Sequence, residues 1–198
     1  MKNIILQHWT GGLGPLELAS KENIEKYALQ CNAEYQLIEG NQFRSWLSPP
    51  CQKLIMLDER FDQYEDVCMV DMDMFVVKNV KNNIFDVPGV GLNSATQKTL
   101  FASMLEHKKY KKYMYKDGPF WGGAIWKFTN AQRKQLRKFI VDDEMKIFTQ
   151  NYVDEGIIHR LASQAGLKQI DIPEEWCWGN CFPGYEKAKM IHLSLIHI

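Results

Sequence analysis

Val67-Cys68-Met69-Val70-Asp71-Met72-Asp73-Met74-Phe75-Val76-Val77 is the stretch on which the reading of the fold turns. An apolar run of this length, rich in β-branched residues, predicts a strand buried on both faces, as the parallel strands of α/β proteins are. Two carboxylates interrupt it. Open α/β sheets bind ligands just beyond the carboxyl ends of their strands, so Asp71 and Asp73 stand where such a fold places its chemistry. Two unpaired carboxylates at that depth repel each other and lose hydration, and a shared divalent cation is the natural compensation. Oxygen ligands suit Mg²⁺ or Mn²⁺, and a protein that supplies few of them leaves coordination positions for phosphate oxygens. An Asp-x-Asp can also simply open a turn. Its position after a buried strand favours a metal–diphosphate site.

Outward from this stretch, 198 residues suffice for one well-buried core and are short for two. Lys+Arg and Asp+Glu balance at 24 each, so no nucleic-acid partner is advertised. Five cysteines, Cys31, Cys51, Cys68, Cys177 and Cys181, are irregularly spaced with no zinc pattern and read as reduced, mostly buried thiols. The first residues, Met1 to His8, form too short an apolar run for a signal peptide and no later run could span a bilayer, which points to a cytoplasmic protein.

Taken in order, a strand from Asn3 to Gln7 leads into His8-Trp9-Thr10-Gly11-Gly12-Leu13-Gly14, and Pro15 opens a helix with Ile24, Tyr27, Ala28 and Cys31 on one face. The glycines match neither a dinucleotide fingerprint nor a Walker loop. His8, Trp9 and Thr10 suit a nucleobase site, with simple packing the equal alternative for Trp9. A second strand spans Tyr35 to Ile38. After Pro49-Pro50, Leu54, Leu57, Phe61 and Tyr64 predict an amphipathic helix over Cys51–Tyr64, with Lys53 at its start; a lysine there is usually solvated, and near a diphosphate it is a point-charge partner. Pro88 to Asn93 reads as a turn and short strand. Leu100 to Tyr115 reads as a helix whose lysines, Lys108, Lys109, Lys111, Lys112 and Lys116, interleave with tyrosines. A solvated face is the main reading of it, and peripheral contact with membrane headgroups or an anionic acceptor is the other.

Phe120 to Phe128 reads as a strand in which Gly122 and Gly123 let a ligand or backbone come close. Thr129 and Gln132 fit a capping box for a helix carrying Leu136, Phe139 and Ile140. Asn151 starts another helix, with Asp154 and Glu155 in its first turn and Ile157, Ile158, Leu161 and Ala162 on its buried side. Glu174 to Cys181 is an aromatic loop, with Trp176 and Trp178, of a kind that can floor a sugar site. The run Met190 to Ile198 reads as an apolar strand. Its position at the end suggests the N-terminal domain of a longer polypeptide.

The order of strand, nucleotide-like loop, Lys53, Asp71-Met72-Asp73, Trp121-Gly122-Gly123, Asp154-Glu155-Gly156 and Ile191-His192-Leu193 resembles a GT-A-fold glycosyltransferase. It is most similar to the small glycosyltransferase domains of chlorella viruses and, more distantly, to the glycogenin and bacterial lipopolysaccharide galactosyltransferase family. The resemblance implies an α/β fold over residues 1–198, with a Rossmann-like, mixed but mainly parallel sheet flanked by helices. It implies a UDP-sugar-dependent hexosyltransferase acting on a glycan or glycoprotein acceptor, in the host cytoplasm if viral. Asp71, Asp73 and His192 would hold Mn²⁺ or Mg²⁺. Lys53 would contact the donor, and His8, Trp9 and Thr10 would line the uridine site. Trp121, Gly122, Gly123, Trp176 and Trp178 would line the substrate. Asp154-Glu155-Gly156 stands where the distant relatives carry Asp-Gln-Asp, and the glycine and lysine motif after their late histidine is missing.

Sugar transfer leaves negative charge on the diphosphate, which a metal and a lysine stabilise, while a carboxylate serves the acceptor's proton or the oxocarbenium-like carbon. Asp154 and Glu155 are the candidates, with Asp154 favoured for the substrate contact. Retention of configuration follows from the resemblance alone. A haloacid dehalogenase phosphatase would carry Asp-x-Asp on its first strand. A nucleotidyltransferase or a non-catalytic sugar-nucleotide-binding module remain the other readings.

Overall fold

Val67, Cys68, Met69 and Val70 have almost no exposed surface, because β3 (Asp66–Val70) runs through the middle of a four-stranded sheet. The computed structural model describes residues 2–93, 95–148, 153–179 and 183–193. Strands β1 (Ile4–Trp9), β2 (Glu34–Glu39), β3 and β5 (Ile125–Thr129) lie in the order β2-β1-β3-β5, with the first three parallel and β5 antiparallel to β3. Alternation along β3 feeds two cores. Val67 and Met69 pack with Leu54, Leu57, Leu136 and Ile158, while Cys68 and Val70 pack with Ile24, Ala28 and Trp176. Helix α1 (Pro15–Gln30) thus covers one face of the sheet. Helices α3 (Asn130–Arg137) and α5 (Val153–Gln164), the short α4 (Asp142–Met145) between them and the segment after Pro49 cover the other. This is the α/β, mainly parallel sheet flanked by helices that the sequence predicts.

The run from Val67 to Val77 is two strands, not one. The chain turns at Asp71–Asp73 and leaves the main sheet as β4 (Met74–Val76), which joins β6 (Trp178–Gly179) and β7 (Met190–His192) in a second sheet ordered β4-β7-β6. Cys51–Tyr64 is not an amphipathic α-helix. It forms 3-10 helices over Pro49–Leu57 and Glu59–Phe61, and every residue from Cys51 to Leu57 is buried. A segment wedged between sheet and helices has no polar face to offer, and the buried Gln52 amide meets its needs from Phe43 N–H and from the carbonyls of Arg44 and Leu47.

Helix α2 (Ala95–Glu106) ends well before Tyr115, and the lysine-rich residues 107–113 form turns. Phe120–Ala124 precedes β5 without strand structure, and the expected strand near Val90 is reduced to isolated bridges from Gly91 to Trp126 and Asp171. The Thr129–Gln132 capping box is present, each side chain bonding the other's backbone N–H. Cys31, Cys51, Cys68 and Cys177 are free, buried thiols. Cys181, the expected helix start at Asn151 and Tyr152, and residues 194–198 of the expected terminal strand lie outside the described residues. Among the described residues no helix is long and apolar enough to cross a membrane.

His159 ties the turns of 107–120 to α5. Its Nε2 accepts the N–H of Tyr115 at 2.9 Å, so its proton sits on Nδ1 and is donated to the Pro119 carbonyl at 2.8 Å. Burial disfavours the imidazolium and lowers its pKa to about 4. The unfolded chain, with an ordinary histidine near about 6.5, binds a proton that the native ring refuses, so stability is full above that value and falls as pH drops toward about 4. Urea unfolding of wild type should therefore lose more stability than His159→Gln over that window, by up to about 3 kcal/mol. Parallel pH curves for the two proteins would contradict this.

Candidate active site

Backbone register assembles the site. Asp71 N–H donates to the Ala124 carbonyl at 2.9 Å, continuing the β3–β5 ladder one residue past the strand. In the second sheet Met74 pairs with His192, and Leu193 N–H donates to the Asp73 carbonyl at 3.0 Å. Asp71, Asp73 and His192, distant in sequence, thereby each bring a ligand atom within 4.8 Å of the others. His192 Nε2 lies 3.3 Å from Asp73 Oδ1 and 4.0 Å from Asp71 Oδ2. A ring nitrogen facing two carboxylates pairs with Asp73 when it carries a proton and can turn its lone pair to a cation when it does not, and two carboxylates with one imidazole suit a divalent cation.

The charges agree with this placement. Burial opposes the His192 imidazolium, yet the pull of Asp73 and Cys177 and the charge of Asp71 outweigh it and raise the pKa to about 10. Burial also acts against the Asp73 carboxylate, but His192 overcomes it and the pKa falls below the usual range. For Asp71 burial prevails over the attraction of Lys53 and His192, and its pKa rises. The pocket therefore attracts one positive charge, and a proton on His192 competes with a cation for that place.

Lys53 is the hub. Its ammonium stands 2.9 Å from Asp71 Oδ1, 2.8 Å from Asp154 Oδ2 and 2.7 Å from the Gly123 carbonyl, with the Trp126 ring 5.2 Å away. An ammonium has three protons and these three acceptors use them all. Burial works against its charge, but the two carboxylates more than compensate and its pKa is raised. Lys53 thus holds Asp71 and Asp154, and the diphosphate contact expected of it from sequence would cost it one of these partners.

Asp154 and Glu155 diverge as adjacent helical residues must. Asp154 is committed to Lys53. Glu155 accepts the Gly123 N–H at 2.8 Å through Oε1, while its Oε2 is buried and meets no partner among the described residues. Burial, with the neighbouring Asp154 charge, raises the Glu155 pKa well above the ordinary carboxylate range. Gly123 is clamped between the two side chains, and a Cβ there would lie 2.5 Å from Asp154 Oδ2, so glycine is required by close approach.

The remaining sequence candidates divide. His8, Trp9 and Thr10 lie at the carboxyl end of β1, next to the end of β3. His8 Nε2 contacts the Gly40 carbonyl at 2.9 Å and Trp9 Nε1 donates to the Gly12 carbonyl at 3.1 Å. Gly122 N–H donates to Leu92 O at 2.8 Å. Trp178 is half-buried on β6, beside the strand that carries His192. Trp121 and Trp176 sit in the core with no exposed surface, Trp121 against Phe128 and Trp176 against Tyr27. A sugar platform needs an open ring face, which these two lack. Pattern reading passed over Gln7 and Ser20, whose buried side chains hydrogen-bond the backbone of the acidic turn. The available signal was a glutamine directly after Ile4-Ile5-Leu6 in a buried strand.

No protein-family model and no curated protein matches the chain. Solved structures do. A glycosyltransferase involved in the glycosylation of the major capsid of PBCV-1 is similar with a TM-score of 0.63 at 11% identity, covering 98% of this chain and 93% of that one. An active-site mutant of LgtC gives 0.60 at 11% identity, covering 96% and 86%. The galactosyltransferase LgtC in complex with donor and acceptor sugar analogues gives 0.56 at 10% identity, with the same coverage of 96% and 86%. The chain has the GT-A fold of these glycosyltransferases.

Removing the hub should expose its energetics. Lys53→Met leaves Asp71 and Asp154 facing each other unpaired and is expected to lower unfolding stability by about 3 kcal/mol or more. Adding Asp154→Asn should recover part of that loss, because one of the stranded charges goes with it. Urea denaturation measures both. A single variant as stable as wild type would show that the ammonium is not holding the carboxylates.

Proposed function

We propose that this GT-A-fold chain is a metal-dependent glycosyltransferase that moves a sugar from a UDP-sugar donor to a glycan acceptor, with retention of anomeric configuration. The observation that carries the reading is the convergence of Asp71, Asp73 and His192 just beyond the carboxyl end of β3, with His192 Nε2 3.3 Å from Asp73 and 4.0 Å from Asp71. A bound Mn²⁺ or Mg²⁺ would offset the negative charge that develops on the departing diphosphate.

The chain's own residues supply the rest. Lys53 fixes Asp71 in orientation and keeps Asp154 engaged, so the acidic pocket is set before a donor arrives. His8, Trp9 and Thr10, at the neighbouring strand end, offer a ring and polar groups to a uridine. Glu155 is the side chain best suited to proton traffic. Its raised pKa lets it hold or release a proton near neutrality, and Oε2 has no competing bond among the described residues. Asp154, favoured from sequence for the substrate contact, is occupied by Lys53 and acts in this reading by positioning.

Hydrolysis of a panel of nucleotide sugars, with and without chelator, tests the reading without knowledge of the acceptor. UDP release from at least one UDP-hexose is expected, with loss on chelation. Glu155→Gln should slow turnover by about a hundredfold or more at unchanged donor affinity. Donor binding and turnover indifferent to chelator would overturn the metal role, and binding without any turnover would favour a sugar-nucleotide-binding module.

A further inference from the structure

We infer that Gln7 and Ser20 are positioning residues for the Asp71–Asp73 turn, fixing the carbonyls that flank it and so the separation of the two carboxylates. The inference rests on the reading of that turn as a metal site. Gln7 has no exposed surface, and a buried amide is costly unless its hydrogen bonds are met. They are met in full. Nε2 donates to Ser20 Oγ and to the Asp71 carbonyl, each at 3.0 Å, and Oε1 accepts the Tyr35 hydroxyl at 2.9 Å. Ser20 Oγ passes its own proton to the Met74 carbonyl at 2.8 Å.

The chain Tyr35, Gln7, Ser20 therefore ends on two carbonyls, one at each end of Asp71-Met72-Asp73-Met74. The turn's internal bond, Met74 N–H to Asp71 O, is at the upper end of the normal range at 3.2 Å, and Gln7 brings a second donor to the same carbonyl at 3.0 Å. Linked hydrogen bonds in a buried setting reinforce one another, and outer partners of this kind orient metal ligands. A side chain that merely filled the space between β1 and α1 would be apolar. This one spends both amide protons on the acidic turn and on the serine that holds its far end.

Helix α1 supplies the internal control. One and two turns beyond Ser20, Asn23 clamps Val76 through both backbone groups at 2.7 and 3.0 Å. Tyr27 donates to the Asn82 carbonyl at 2.8 Å and accepts the Ile84 N–H at 2.9 Å. Residues 20, 23 and 27 share a face, yet only Ser20 touches the acidic turn. Tyr27→Phe removes comparable bonds from the same helix without reaching Asp71 or Asp73.

Titration of the donor-free protein with Mn²⁺, followed by calorimetry and by electron paramagnetic resonance of the free ion, tests the inference, with urea stability measured for every variant. Gln7→Met and Ser20→Ala should weaken Mn²⁺ binding about tenfold or more, while Ser20→Thr, which keeps the hydroxyl, and Tyr27→Phe should stay within about twofold of wild type. Tyr27→Phe should lose stability all the same. If Gln7→Met does not fold, the Ser20→Ala and Ser20→Thr pair decides. Wild-type affinity in Gln7→Met and Ser20→Ala overturns the inference, as does equal weakening by Tyr27→Phe. A wild type that binds no Mn²⁺ overturns the metal reading beneath it.

Discussion

Everything around the site depends on one buried ammonium and its three acceptors. Lys53 comes from a 3-10 segment, Asp71 from the end of β3, Asp154 from the start of α5 and Gly123 from the approach to β5, so a single nitrogen joins four separate parts of the chain. Buried ion pairs often do little more than repay their desolvation. The gain here is geometric: an ammonium saturated by three acceptors fixes their mutual placement, and Asp71 enters the acidic pocket already aimed.

Charge bookkeeping then explains why the pocket suits a divalent ion. Glu155 is pushed toward its neutral form, and a metal-ligating His192 must be neutral. Asp71, Asp73 and Asp154 then face only Lys53, and the imbalance is two negative charges. The same imbalance, without an ion, raises the His192 pKa and lets the imidazolium stand in for the cation. The GT-A fold places this constellation at the carboxyl ends of parallel strands, where ligands of open α/β sheets bind.

The sheet's centre was legible because burial on both faces leaves a compositional mark: four apolar residues of β3 with no polar alternation. The capping box at Thr129 and the buried side of α5 were legible for the same local reasons. What escaped was non-local. The two carboxylates announce a break in Val67 to Val77, but nothing there says that the chain changes sheets at it, since both strands are apolar. The pairing of β4 with β7, which delivers His192, is a register between segments far apart. Lys53 was visible as a cation but not as one already spoken for. Trp121 and Trp176 read as ligand-facing rings, although large apolar area serves a core equally well. Gln52 and Gln7 were hidden by an opposite bias, because buried amides look like surface residues in a sequence.

The most direct measurement of the central claim is a crystal structure of the wild-type protein grown with Mn²⁺ and UDP, with anomalous data collected at the manganese edge. The account predicts one strong anomalous peak bonded to carboxylate oxygens of Asp71 and Asp73 and to Nε2 of His192, at about 2.0–2.3 Å, with Lys53 still bridging Asp71 and Asp154. A peak elsewhere, or a UDP complex in which no ion joins the three side chains, would contradict it.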